Sequence, residues 1–132
     1  MNKNFITTLK IILSFLIKSK FNLKNPKQAD IIIYDSNNTE DLKKILPNDK
    51  FTVLRTRVDE FKEFYFSFNT IFFILTNILK RSFKQNYLIS LINQINPKVV
   101  VTLADNSSDF HITAKFFSQK KIKFLAIQSS DL

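Results

Sequence analysis

Two short polar segments, Asp35-Ser36-Asn37 and Asp105-Asn106-Ser107, hold the side chains best suited to chemistry. Each sets a carboxylate, an amide and a hydroxyl in consecutive positions, a set that donates and accepts hydrogen bonds at the edge of a sugar, a phosphate or a nucleotide. Each also lies between an apolar run and a helical pattern, where the free N–H groups of a helix start attract anions. The same residue types are ordinary cap chemistry. Asn37 with Glu40, Asn38 with Asp41 and Asn106 with Asp109 all have helix-capping spacing. Taken singly, each residue is a cap; the two segments become a binding site only if the fold brings them together.

Other candidates are sparser. Arg55 and Arg57 follow an apolar run, and either can fork onto a phosphate or carboxylate or pair with Asp59, Glu60 or Glu63. His111, the one imidazole, falls in the first turn after Asp109 with no carboxylate partner evident from spacing, so a surface or packing role competes with acid–base work. One His, no Cys and scattered acids offer no metal-ligand spacing, and no metal or cofactor is expected. The absence of Gly rules out a glycine-rich phosphate loop. Lys120, Lys121 and Lys123 lie among Phe116, Phe117 and Phe124, but those rings fit a core pattern, and no nucleic-acid partner is expected.

The elements that must position these residues read clearly. Ala29–Tyr34, Phe51–Leu54, Val99–Leu103 and Lys123–Ile127 are apolar, β-branched runs without polar alternation, as in strands covered on both faces. Helical spacing lies between them: Leu42, Ile45 and Leu46 before Pro47; Phe64 to Leu79; Tyr87, Leu88, Leu91, Ile92 and Ile95 before Pro97; and the stretch after Ser107. The expected fold is α/β, a Rossmann-like three-layer domain over residues 29–132 with a parallel sheet of about four strands. The strand at Ile31 is expected beside the strand at Val99, which puts the reversal of winding, and the ligand crevice, between them.

Residues 1–28 precede that domain as a basic amphipathic helix and a polar linker, Phe21 to Gln28. Over Phe5 to Ile17, Lys10, Ser14 and Lys18 form one stripe and Phe5, Leu9, Ile12, Leu13 and Leu16 surround it. Six lysines and no acid precede Ala29 in a chain of net charge +9. Two readings stand: an interfacial anchor on an anionic leaflet, or a first helix packed on the domain. The uncharged Phe64–Leu79 stretch is short for a bilayer span and broken by Ser67, Asn69, Thr70, Thr76 and Asn77, so a buried or groove-forming helix is expected there. The cytoplasm is the expected compartment, with peripheral contact at the inner face of the membrane through residues 5–17 on the anchor reading alone.

Asp30-Ile31-Ile32-Ile33-Tyr34-Asp35-Ser36-Asn37, Val53-Leu54-Arg55-Thr56-Arg57, Pro97 through Asn106, and Lys123 through Gln128 resemble, in that order, the amino-terminal half of bacterial surface carbohydrate biosynthesis proteins. Those look like two-domain, GT-B-type glycosyltransferases, related in shape to glycerophosphotransferases of wall-polymer synthesis. The resemblance implies an acceptor-side domain without its donor side, inactive in transfer alone. Its acceptor would be a sugar or lipid-linked saccharide, held by Asp35, Ser36, Asn37, Arg57, Asp105, Asn106 and Gln128, and its donor half would come from a carboxyl-terminal partner domain. The family continues after the last strand as Gln-Asn-Gly with a following Arg, whereas this chain reads Gln128-Ser129-Ser130-Asp131-Leu132, the ending expected of a truncated piece.

Overall fold

Four of the β-branched and apolar runs form one parallel sheet in the computed structural model, which describes residues 3–34, 39–47, 50–55, 63–103 and 107–128, except the side chains of 11, 12, 15, 16 and 39. The elements in chain order are α1 (Lys3–Lys18), β1 (Lys20–Asn22), β2 (Ile31–Tyr34), α2 (Thr39–Ile45), β3 (Phe51–Leu54), β4 (Glu63–Tyr65), α3 (Phe68–Asn77), α4 (Phe83–Ile95), β5 (Val99–Thr102), α5 (Ser108–Phe116) and β6 (Lys123–Ala126). The main sheet runs β3-β2-β5-β6 with every pair parallel.

The two middle strands are buried on both faces, which is why their sequences show no alternation. Ile32, Tyr34 and Val100 pack with Leu88, Ile89 and Ile92 of α4 and with Phe110 and Phe117 at α5. Ile33 and Val101 pack on the other face with Leu42 of α2. Three layers result, a Rossmann-like α/β arrangement with an amino-terminal helix. From β2 the chain winds outward through α2 to β3, and from β5 it winds the opposite way through α5 to β6. The edge strand β6 is less covered, and Leu125 and Ile127 are exposed.

The helices start and stop for local reasons. Ser67, Ser82 and Ser107 cap α3, α4 and α5, each accepting a backbone N–H three residues on. Asn96 ends α4 in the left-handed region at φ 53°, where Asn is tolerated, and Pro97 follows.

Two differences from the expected layout stand out. The stretch read as a linker contains β1, which pairs in parallel with β4: Phe21 lies opposite Phe64 with the rings 5.5 Å apart, and Phe66 stacks on both. Phe64 is therefore a strand residue, and the following helix begins only at Phe68, after the Ser67 cap. That helix is also not buried all round. Thr70 and Ile74 face the core, while Phe68, Phe72 and Leu75, and Leu79 just past its end, are exposed. Among the described residues no helix is long and apolar enough to cross a membrane.

Candidate functional site

The candidate site is built on the carboxyl ends of β2 and β5. Ile31, Ile32 and Ile33 lie opposite Val99, Val100 and Val101, so the last residues of the two strands, Tyr34 and Thr102, sit side by side at the centre of the sheet. Both are fully buried. The Tyr34 ring meets Phe110 edge-on at 5.4 Å, which fixes the start of α5 against the end of β2.

Of the seven residues named from sequence, Gln128 lies within the described structure; Asp35, Ser36, Asn37, Arg57, Asp105 and Asn106 fall outside the described residues. Gln128 is exposed just past β6. The backbone N–H of Ile127 donates to the Thr102 carbonyl at 2.8 Å, so the chain holds Gln128 beside the carboxyl end of β5. By chain connectivity, segments 35–38 and 104–106 leave from neighbouring strand ends at the same sheet edge.

The described residues around this edge have definite roles. Ser107, not Asn106, caps α5, its hydroxyl accepting the Phe110 N–H at 3.3 Å. Asp109 is engaged with α4: Lys84 Nζ lies 3.0 Å from its carboxylate and Gln85 Nε2 donates to it at 3.3 Å. His111 is exposed, its ring edge-on to Phe110 at 5.8 Å. Glu40, in the first turn of α2, is held below the usual carboxylate range chiefly by its 2.8 Å hydrogen bond from Lys43, with the positive charge of Arg55 adding to the effect. Among the described residues no group of three His, Cys, Asp or Glu stands together as a metal site.

Neither a family model, nor a curated protein, nor a solved structure matches this chain.

Among the described residues, cavities lie away from the carboxyl edge of β2 and β5. One of about 590 Å³ opens at the amino ends of the strands, between Asp30, Lys50, Asn96, Lys98, Lys120 and Lys121. The ends of α4 and of the turn after α5 bring carbonyl dipoles to this side, where lysines are favoured without any ligand. Lys98 pairs with Asp30 at 3.2 Å, and Lys120 donates to Asn93 at 2.7 Å.

Another cavity, about 400 Å³, lies between α3 and α4 and is lined by Asn25, Asn69, Phe72, Ser90, Asn93 and Gln94. Behind it is a polar network that sequence reasoning missed. Gln94 donates to Thr70 Oγ1 at 2.7 Å and to Ser90 Oγ at 2.9 Å, and accepts from Ser67 Oγ at 3.0 Å. The available signal was Ser90 and Gln94 four residues apart on an otherwise apolar helix face.

Proposed function

We propose that this chain is the acceptor-side domain of a surface-polysaccharide glycosyltransferase-like protein, binding a sugar or lipid-linked saccharide and making no glycosyl transfer by itself. The observation that carries this reading is the in-register pairing of β2 with β5, the point in an open parallel sheet where ligands bind. The segments leaving those strands and their neighbours β3 and β6 supply the right chemistry. Asp35 and Asp105 accept hydrogen bonds from sugar hydroxyls, Ser36, Asn37, Asn106 and Gln128 both donate and accept, and Arg57 forks onto the phosphate of a lipid-linked acceptor. Transfer also requires an activated donor, which a partner domain on the carboxyl side of this sheet would bind. Such a protein works at the cytoplasmic face of the membrane that holds its acceptor.

The test is the affinity of the chain and of Asp105→Ala for a panel of soluble methyl glycosides. The variant is expected to bind at least about tenfold more weakly, the worth of a charged hydrogen bond, with an unchanged unfolding midpoint. Equal affinity removes Asp105 from the site.

A non-catalytic interaction domain is the second reading. It is favoured by the exposed apolar residues of α1 and α3, which a free-standing binding domain leaves without explanation.

A further inference from the structure

We infer that α1 is an interfacial anchor that lies in the plane of an anionic lipid surface. Its sequence first gives the means. Phe5, Leu9, Leu13 and Ile17 recur at four-residue spacing along one side of a sixteen-residue helix, and Lys3, Thr7, Lys10, Ser14 and Lys18 form the polar side. The described side chains favour the anchor over a helix packed on its domain. A helix packed on its domain hides its apolar face, yet Phe5 is 60% exposed, Leu9 45%, Leu13 49% and Ile17 83%. Neither of the domain's two apolar clusters includes an α1 residue among the described side chains; the side chains of Ile12 and Leu16 are outside that set.

Charge selects the occupant of this face. Lys3, Lys10, Lys18, Lys20, Lys24 and Lys27 are all exposed, and no acid occurs before Asp30. Among the described residues none of the six forms an ion pair. A second copy of the chain would bring six more lysines against these, so self-association through this face works against its own charge. An anionic leaflet instead takes the apolar stripe into its headgroup–acyl boundary and neutralises the lysines at its surface. At 1.5 Å per residue, sixteen residues reach about 24 Å, less than the hydrocarbon thickness, so the helix lies along the surface instead of crossing it. The anchor stands apart from the saccharide reading, since it uses no residue of the crevice.

Co-sedimentation with vesicles tests this on the full chain. Vesicles of equal phosphatidylcholine and phosphatidylglycerol should bind the intact chain, and vesicles of phosphatidylcholine alone should bind it far less. Leu9→Gln with Leu13→Gln should weaken partition more than about 100-fold, and Lys10→Gln with Lys18→Gln about 30-fold. Glutamine matches leucine and lysine in helix propensity, and the replaced side chains are exposed, so the unfolding midpoint should not move. Phe5→Trp, in a chain without Trp, should show a blue-shifted emission on anionic vesicles only. No binding to anionic vesicles overturns the inference. So does binding that survives both double variants, which would move the contact to another surface such as α3. Equal binding to neutral vesicles, or dimerisation in buffer through Leu9 and Leu13, gives the face a different occupant and also overturns it.

Discussion

Ile33 of β2 lies directly opposite Val101 of β5, one residue before each strand ends, and this pairing sets where the sheet reverses its winding. The two side chains pack with Leu42 of α2, while their neighbours Ile32 and Val100 pack toward α4 and α5. The register therefore ties both helical layers to one point on the carboxyl edge. Shifting it by one residue would turn every buried side chain of either strand to the wrong layer.

The turn between α3 and α4 depends on Asn86. Its fully buried amide donates to the carbonyls of Asn77 at 2.9 Å and Arg81 at 3.2 Å, and its oxygen accepts from Arg81 Nε at 3.3 Å. The Arg81 guanidinium also lies 4.8 Å from the centre of the Phe116 ring. Asn86→Ala removes all three hydrogen bonds, the Asn77 carbonyl keeping only its backbone donors such as the Lys80 N–H at 3.0 Å, and should cost about 2–4 kcal/mol in urea denaturation. Asn86→Asp, which cannot donate to either carbonyl, should be no better.

Tyr87 makes stability fall at high pH. Burial pushes its hydroxyl up to about 12, and that hydroxyl accepts the Tyr65 N–H at 3.0 Å. The unfolded chain gives up this proton near the ordinary value of about 10. The stabilisation is thus complete below pH 10 and is lost as pH rises to about 12. Tyr87→Phe lowers stability at pH 8 by about 1 kcal/mol through the lost hydrogen bond. It should also flatten the decline between pH 10 and 12 when unfolding midpoints of the two proteins are compared across that range.

Ser107→Ala should cost about 1 kcal/mol by removing the cap of α5, and Ser107→Asp should restore most of it. Thermal melts of the three proteins check this. A full loss of binding to methyl glycosides by Ser107→Asp with normal stability would give Ser107 a ligand contact beyond its cap.

The exposed side of α3 is predicted to matter for association and not for folding. Leu75 is 64% exposed and Leu79 98%, so Leu75→Gln with Leu79→Gln should change stability by less than about 0.5 kcal/mol each. Light scattering of concentrated protein should fall in the double variant, because the apolar patch is smaller.

How much of this was legible in the sequence differs from element to element. β2 and β5 read directly because buried parallel strands are written as unbroken apolar, β-branched runs, and the less covered edge strands β3 and β6 read as short apolar runs between helical patterns. β1 and β4 did not. Three residues are too few to show a period, and the aromatic pairing of Phe21 with Phe64 joins segments far apart in the chain. Helical spacing located α3 but not its exposure, since periodicity gives a face and says nothing of what covers it. Spacing pointed to Asn106 as the cap of α5, whereas the hydrogen bond to Phe110 gives that role to Ser107. Of the candidate site, strand order put β2 beside β5, and the structure adds the Thr102–Ile127 hydrogen bond that brings Gln128 to the same edge.

We propose that ligand binds at the carboxyl edge of β2 and β5. An NMR titration of the labelled chain with methyl glycosides reads this residue by residue. The account predicts shifts at Leu103, Ser107, Ile127 and Gln128, with Asp30, Lys98 and Lys121 at the opposite edge unmoved. Shifts confined to that opposite edge, or none at millimolar sugar, would contradict it.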